Sequence, residues 1–129
     1  MANPLAKAAP TAGGATVDFT GAWKNQLGSV MTLSVTGQGV SGRYVSPVSG
    51  GSGPVEGDIA GYVDGDLIAF VVNWDTTASL TAWTGQLVGG GAGATIKTLW
   101  HLVMNLPDPD EATGLWQSTF AGADVFTRA

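Results

Sequence analysis

Apolar and polar residues alternate along most of this chain with a period of two, which is typical of β-strands buried on one face. The segment VMTLSVTG is the clearest case, because Met31, Leu33 and Val35 alternate there with Thr32 and Ser34. Similar short segments recur from about residue 18 onwards and are separated by Gly, Asn, Asp and Pro. The predicted strands cover residues 19–28, 30–37, 39–46, 56–63, 66–74, 79–88, 95–104 and 118–128.

The connections between these segments are short, and two of them, TGQG and VDGD, have the composition of hairpin turns. Eight sequential strands joined in this way predict an antiparallel meander, and a twisted meander of that size commonly closes into a barrel. The predicted fold is therefore all-β: an eight-stranded antiparallel up-and-down barrel over residues 18–129, preceded by a flexible arm over residues 1–17. Residues 47–54 are predicted as a loop, and residues 105–116 as a turn-rich connection with one helical turn.

Composition narrows the possible functions. Only 12% of the 129 residues are charged, and 20 glycines with abundant Thr, Ser and Val favour strands and turns over helices. The formal charge of −5 and the pI near 4.3 argue against a nucleic-acid partner, since such partners are bound by basic surfaces. The absence of cysteine excludes disulfides and thiolate chemistry, and no apolar run is long enough for a membrane-spanning helix.

Catalytic chemistry has little support in the sequence. His101 is the single histidine, and with no cysteine it cannot form a typical zinc site. No nucleophile elbow, no phosphate-binding loop and no dinucleotide fingerprint after a strand is present. Asp108, Asp110 and Glu111 crowd one turn-rich segment, where a solvated surface is the ordinary role of carboxylates. The sequence therefore predicts neither an enzyme nor a metal or cofactor site.

Binding of a small molecule has better support, and the tryptophans carry it. The chain has five: Trp23, Trp74, Trp83, Trp100 and Trp116. The alternation places Ser79 and Thr81 on the same strand face as Trp83, and it predicts that Asn25, Leu27 and Ser29 share a face with Trp23. Apolar walls with a few directed polar groups are typical of ligand pockets. The alternative is that these polar residues are ordinary hydrogen-bonded members of the core.

The outward face of one predicted strand indicates a second surface that could contact another molecule. In TIKTLWHLVM, Leu99, His101 and Val103 point away from Trp100 and form an unusually apolar outer row. An apolar row on the outside of a barrel favours a subunit interface.

Five motifs in this order, GAWKNQLGS, SGRYVS, TAWTGQLVGG, TLWHL and LWQSTFAGADVFT, resemble the avidin/streptavidin family of biotin-binding proteins. The resemblance runs from Phe19 to Thr127, which is nearly all of the chain after the arm. It implies a streptavidin-like barrel that binds biotin non-covalently and with high affinity in its lumen, without a cofactor. It also implies a secreted bacterial protein, extracellular or periplasmic, that assembles as a homotetramer.

The resemblance also implies a role for each matching residue. Asn25, Ser29 and Tyr44 are similar to three donors that bind the ureido oxygen of biotin, while Asp124 and Ser46 are similar to the acceptors of its two N–H groups. The rest of the implied site consists of Thr81 near the thioether sulfur, Ser79 near the valerate carboxylate, a box of Trp74, Trp83 and Trp100, walls of Leu27 and Leu102, and Trp116 from a neighbouring subunit. Trp23 is implied to be a structural residue at the barrel's end. The 47–54 loop does not align by residue type, so the contacts that it makes with the ligand carboxylate stay unassigned.

Two other functions fit an up-and-down barrel. A lipocalin-type barrel would bind another small apolar ligand, but Asn25, Ser29, Tyr44 and Asp124 would then be left unpaired. A barrel that acts as a protein partner or protease inhibitor would fill its lumen, with Leu or Phe where Ser29, Ser79 and Thr81 stand. An enzyme acting on biotin derivatives would need a nucleophile–base pair that the sequence does not offer.

Overall fold

The computed structural model describes residues 18–47, 53–105 and 119–129. They form the strands β1 Gly21–Asn25, β2 Val30–Thr36, β3 Gly39–Ser46, β4 Val55–Asp64, β5 Leu67–Trp74, β6 Ser79–Val88, β7 Thr95–Met104 and β8 Thr119–Arg128. Each strand pairs antiparallel with the next, and β1 pairs with β8 to close the barrel. The predicted eight-stranded up-and-down barrel is confirmed.

The alternation of residue types decides which side chains face the lumen. On β5, Ile68, Phe70 and Val72 are buried, whereas Leu67, Ala69 and Val71, which alternate with them, are exposed. The tight hairpins depend on glycine where the backbone turns: Gly37 between β2 and β3 and Gly65 between β4 and β5 have φ near +60°. Short turns of this kind keep consecutive strands adjacent, so the whole barrel is a simple meander.

One end of the lumen is filled by aromatic and aliphatic side chains. Trp23 is completely buried, and its indole N–H donates a hydrogen bond of 2.8 Å to the backbone oxygen of Phe19. The guanidinium of Arg128 lies 3.9 Å from the centre of the Trp23 ring and donates to the backbone oxygens of Asp18 and Thr20. Trp23 is thus a structural residue at the barrel's end, as expected.

The structure departs from the sequence predictions at two connections. The first strand ends at Asn25 rather than continuing, and residues 26–29 form a turn with Gly28 at φ 86°. Leu27 therefore does not continue the inward face of β1. The glycine-rich segment before β7 contains a short 3₁₀ turn, Gly91–Gly93, which was not predicted.

Several predictions fall on residues that the structure does not describe. The arm over residues 1–17, the helical turn within 105–116 and the centre of the 47–54 loop lie outside the described ranges. Within those ranges, no helix is long and apolar enough to cross a membrane.

Candidate functional site

Polar side chains gather inside the barrel towards the end opposite Trp23. Five of them are between 2% and 8% exposed: Asn25, Ser29, Tyr44, Thr81 and Asp124. They come from the end of β1, the following turn, β3, β6 and β8, so only closure of the barrel brings them together. Buried polar groups are costly unless they are hydrogen-bonded, and a cluster of them points to a site.

Asn25 is oriented by the turn that follows it. Its side-chain oxygen accepts hydrogen bonds from the backbone N–H groups of Leu27 (3.0 Å) and Ser29 (2.9 Å). Because the oxygen is engaged by the turn, the amide nitrogen must point the other way. It donates to the hydroxyl of Tyr44 over 3.3 Å, so Asn25 presents a donor to the lumen.

The hydroxyl of Tyr44 is buried and keeps its proton. Burial raises the pKa of Tyr44 to about 12, the charge of Asp124 acts in the same direction, and a hydrogen bond with Ser29 partly opposes both. Its ring stacks on Trp83, with centroids 4.9 Å apart, and meets the edge of Trp74 at 5.6 Å. Tyr44 therefore offers a fixed O–H donor within an aromatic wall.

Asp124 is the acceptor of the cluster, and both of its oxygens are engaged. Oδ2 accepts from the indole N–H of Trp83, and Oδ1 accepts from the side-chain amide of Gln26, each over 2.9 Å. The Gln26 oxygen in turn accepts the backbone N–H of Val125 over 3.1 Å, which determines which end of the amide faces Asp124. The carboxylate is thus held in one orientation by two N–H donors, and each oxygen keeps a further lone pair.

The hydroxyls nearer the barrel opening are paired with one another or with an indole. Ser29 donates to Ser46 over 3.4 Å, and the Trp74 indole donates to Thr81 over 2.9 Å. The hydroxyls of Ser79 and Thr77 lie 2.8 Å apart. Each of these hydroxyls therefore has a hydrogen-bond partner within the chain.

The other predicted site residues occupy more varied positions. Trp83 is buried, while Trp74, Trp100, Leu102, Ser46 and Ser79 are partly buried. The structure does not bring Leu27 into the lumen: its side chain is 71% exposed in the turn after β1. Trp116 lies outside the described residues.

Comparison with known proteins identifies the kind of barrel. A family model described as the Avidin family matches residues 14–129. The chain belongs to the avidin family. It is 31% identical to avidin of Gallus gallus over 96% of this chain and 86% of that protein, and 36% identical to afifavidin of Afifella pfennigii over 81% of this chain and 65% of that protein. Among solved structures, a rhizavidin–biotin complex matches with a TM-score of 0.72 at 30% identity, covering 88% of this chain and 97% of that chain.

Three residues of this avidin-family barrel contribute to the cluster although the motifs did not indicate them. Gln26 orients Asp124, and Thr77 pairs with Ser79. Gly122 faces Trp100 across the β7–β8 ladder, and a Cβ there would lie 2.5 Å from the indole. Thr77 could have been suspected from the run of hydroxyl residues after Trp74, whereas Gln26 and Gly122 need the strand register to be recognised.

The arrangement suits recognition of a small polar group. Donors from Asn25, Ser29 and Tyr44 and the acceptor Asp124 meet at the same end of the lumen. Within the described ranges, no three His, Cys, Asp or Glu side chains are grouped to hold a metal ion. A group with a carbonyl oxygen flanked by N–H donors is the complement of such a cluster.

Proposed function

We propose that residues 18–129 form one domain that binds biotin non-covalently and with high affinity in the barrel lumen, and that the protein is not an enzyme. Membership of the avidin family and the similarity to a rhizavidin–biotin complex support this assignment. The observation that carries it is the buried cluster of Asn25, Ser29, Tyr44 and Asp124, because an apolar ligand could not use the hydrogen-bonding capacity that these groups keep beyond the bonds they already make.

The ureido group of biotin is the complement of this cluster. Its carbonyl oxygen would accept hydrogen bonds from Asn25, Ser29 and Tyr44, and its N–H groups would donate to Asp124 and Ser46. Three donors on one oxygen and an ionised acceptor on the opposite side polarise the ureido group in one direction, an effect that a dry lumen strengthens.

Two hydrogen bonds within the cluster favour tight binding of such a group. The Asn25–Tyr44 N–H···O bond is 3.3 Å long and the Ser29–Ser46 O–H···O bond is 3.4 Å long, whereas the usual ranges for these two types are about 2.7–3.2 Å and about 2.5–3.0 Å. A ligand oxygen at normal distance would replace weak bonds with stronger ones. Since these side chains already have hydrogen-bond partners within the chain, little conformational entropy would be lost on binding.

The remaining contacts surround the rest of the ligand. Thr81 would contact the thioether and Ser79 the valerate carboxylate, with Trp74, Trp83 and Trp100 as the aromatic box and Leu102 as an apolar wall. Leu27 is exposed after β1, so its contribution requires the turn to cover the ligand. Trp116 would complete the box from a neighbouring subunit.

The outer surface supports a homotetramer. β1 to β3 present polar groups such as Lys24, Ser34 and Arg43, whereas the outer residues of β7 include Leu99 and Val103, both exposed. Further exposed apolar side chains lie on β5, β6 and β8: Val71, Leu80 and Val125. Exposed apolar side chains of this kind are typical of an interface, and a second copy of the same chain presents a matching surface. The secreted, extracellular or periplasmic location of a bacterial protein remains a prediction.

Calorimetric titration with biotin, read in parallel by tryptophan fluorescence, tests the function. We expect one site per chain and saturation at stoichiometric ligand. A fatty acid is the matched probe for the lipocalin-type alternative, and saturable binding of that probe without binding of biotin would reverse the assignment. Native mass spectrometry of the same samples reports the assembly, for which we expect four chains.

Mixed tetramers test the contribution of Trp116 across the interface. Chains carrying Trp116→Ala, co-assembled with chains carrying Asp124→Ala, should contain some sites with both native residues. The mixture should therefore bind biotin better than either variant alone. Equal binding by the mixture and the separate variants would place Trp116 in its own chain's site.

A further inference from the structure

An ionic cluster lies on the outside of the barrel, directly behind two aromatic residues of the lumen. Arg43 is the outward neighbour of Tyr44 on β3, and its Nη1 donates to Asp58 on β4 over 2.9 Å. The same guanidinium bonds Asp75, and its Nε lies 3.8 Å from a Glu56 oxygen. The Arg43 guanidinium thus interacts with three carboxylates on the outer face.

Asp75 differs from the other two carboxylates because it directly follows Trp74, the last residue of β5. Its backbone N–H donates to the backbone oxygen of Glu56 over 2.9 Å, which extends the β4–β5 ladder past the end of the strand. Its two carboxylate oxygens bond Nη1 and Nη2 of Arg43, the first over 3.1 Å. A two-point bond between a guanidinium and a carboxylate fixes direction as well as distance.

The lumen side of the same segment is fixed by Trp74. Its indole donates to Thr81, and its edge meets the Tyr44 ring. Residues 75–78 that follow are all exposed, so they offer little packing of their own to hold the end of β5. Without Arg43, three carboxylates would repel one another at this point, and Asp75 would lose its partner.

We propose that Arg43 is a positioning residue for ligand binding, which anchors Asp75 from the outer face and thereby holds Trp74 across the opening of the lumen. The hydrogen bonds to Asp75 and then Asp58 raise the pKa of Arg43 further above its ordinary value, so the anchor stays charged at every accessible pH. The effect on binding rests on the proposed function, whereas the anchoring of Trp74 is a property of the chain alone.

Three variants separate anchoring from general surface charge. Arg43→Met removes the cation and keeps the apolar stem, Asp75→Asn weakens the anchor beside Trp74, and Asp58→Asn is the matched control, because Asp58 shares the same cation without adjoining Trp74. We expect the first two variants to accelerate biotin dissociation about three- to tenfold, and the control to stay near the native rate. Added salt should accelerate dissociation from the native protein and have little effect on Arg43→Met, since exposed ion pairs are screened.

A measurement without ligand tests the anchoring itself. Incorporation of 5-fluorotryptophan gives one fluorine resonance per indole, and Trp74→Phe assigns the relevant one. That resonance should shift or broaden in Arg43→Met and Asp75→Asn but not in Asp58→Asn. An unchanged Trp74 resonance in Arg43→Met, or equal effects of Asp58→Asn and Asp75→Asn, would overturn the proposal. If the native protein fails to bind biotin, the proposed function is wrong, and the fluorine spectra still decide whether Arg43 anchors Trp74.

Discussion

The two ends of the lumen both hold deeply buried side chains, and these side chains are chemically opposite. The packed end consists of Phe19, Trp23, Leu33, Ile68 and Ile96, each at most 2% exposed. The polar end consists of Asn25, Ser29, Tyr44, Thr81 and Asp124, each at most 8% exposed. Since burial is nearly the same, the difference lies in what is buried: apolar area stabilises the fold, whereas polar groups at best offset their own desolvation.

This contrast predicts that the packed end determines the stability of the barrel and that the polar end determines ligand binding. The hydrogen bond between Trp23 and Phe19 is 2.8 Å long, while two of the bonds within the polar end exceed 3.2 Å. The two long bonds of Asn25 and Ser29 stabilise the fold little, and a ligand that offers these groups shorter bonds would pair them better. Substitutions at the packed end should therefore change unfolding with and without biotin, and those at the polar end should mainly change binding.

The largest effect is expected at the packed end. Trp23→Ala removes a fully buried ring and the surface on which Arg128 stacks, so the free energy of unfolding should fall by about 3–5 kcal/mol. Urea denaturation without biotin measures the loss, and Trp23→Phe, which keeps a ring, should lose less. A native unfolding midpoint in Trp23→Ala would contradict the division between the two ends.

Asp124→Ala is the corresponding test at the polar end. A charge-assisted hydrogen bond to a ligand N–H contributes on the order of 1.5–3 kcal/mol, so biotin should dissociate at least about tenfold faster from this variant. Thr98→Val is a matched control, because the Thr98 hydroxyl donates to the backbone oxygen of Asp124 over 3.0 Å and not to its carboxylate. The two ends would not be separable if Thr98→Val raised the dissociation rate as much as Asp124→Ala.

Most of the residues that face the lumen could be predicted from the sequence, because inward and outward residues alternate with the strand period. The point at which β1 ends could not be predicted. There the Asn25 oxygen accepts hydrogen bonds from the N–H groups of Leu27 and Ser29, and a turn replaces the next ladder bonds. A period-two pattern of apolar and polar residues does not indicate where a side chain competes with the strand ladder for backbone hydrogen bonds. That competition is the physical reason why Leu27 was expected inside and lies outside.

Contacts between distant residues were also beyond sequence reasoning. Gln26 meets Asp124 because closure of the barrel sets β1 beside β8, and Arg43 meets Asp75 because the ladders of β3, β4 and β5 are in a particular register. Residue types and spacing carry no information on such pairs. Motifs of the family identified the residues of the polar end, and the register supplied those that orient them.

Tyr44→Phe should weaken biotin binding by roughly 1–3 kcal/mol, because the ligand oxygen would lose one donor while the ring stays in place.

The same variant should also differ from the native protein in how its stability without biotin depends on pH. The pKa of Tyr44 is about 12 in the folded protein and near 10 in the unfolded chain. The contribution of the Tyr44 hydroxyl to the free energy of unfolding is therefore fully present below pH 10. It is lost as the pH rises towards 12, because only the unfolded chain releases the tyrosine proton in that interval.

Urea unfolding of the native protein and Tyr44→Phe at pH 9 and pH 11 measures this contribution. Native stability should fall more steeply over that interval than the stability of the variant. Parallel pH profiles of the two proteins would mean that the Tyr44 hydroxyl does not titrate differently on folding.

The smallest effect is expected at Gln26, which orients the polar end from its rim. Gln26→Met removes one neutral donor from Asp124 and keeps a side chain of similar length, so biotin affinity should fall by about 0.5–1.5 kcal/mol with little change in unfolding. Gln26→Glu sharpens the test, because it sets a second carboxylate against Asp124. Two carboxylates at hydrogen-bond distance repel unless one is protonated, so binding by this variant should improve as pH falls from 7 to 5, unlike binding by Gln26→Met. If both variants lost affinity equally at every pH, Gln26 would act only by filling space, and the orientation of Asp124 would have to come from Trp83 alone.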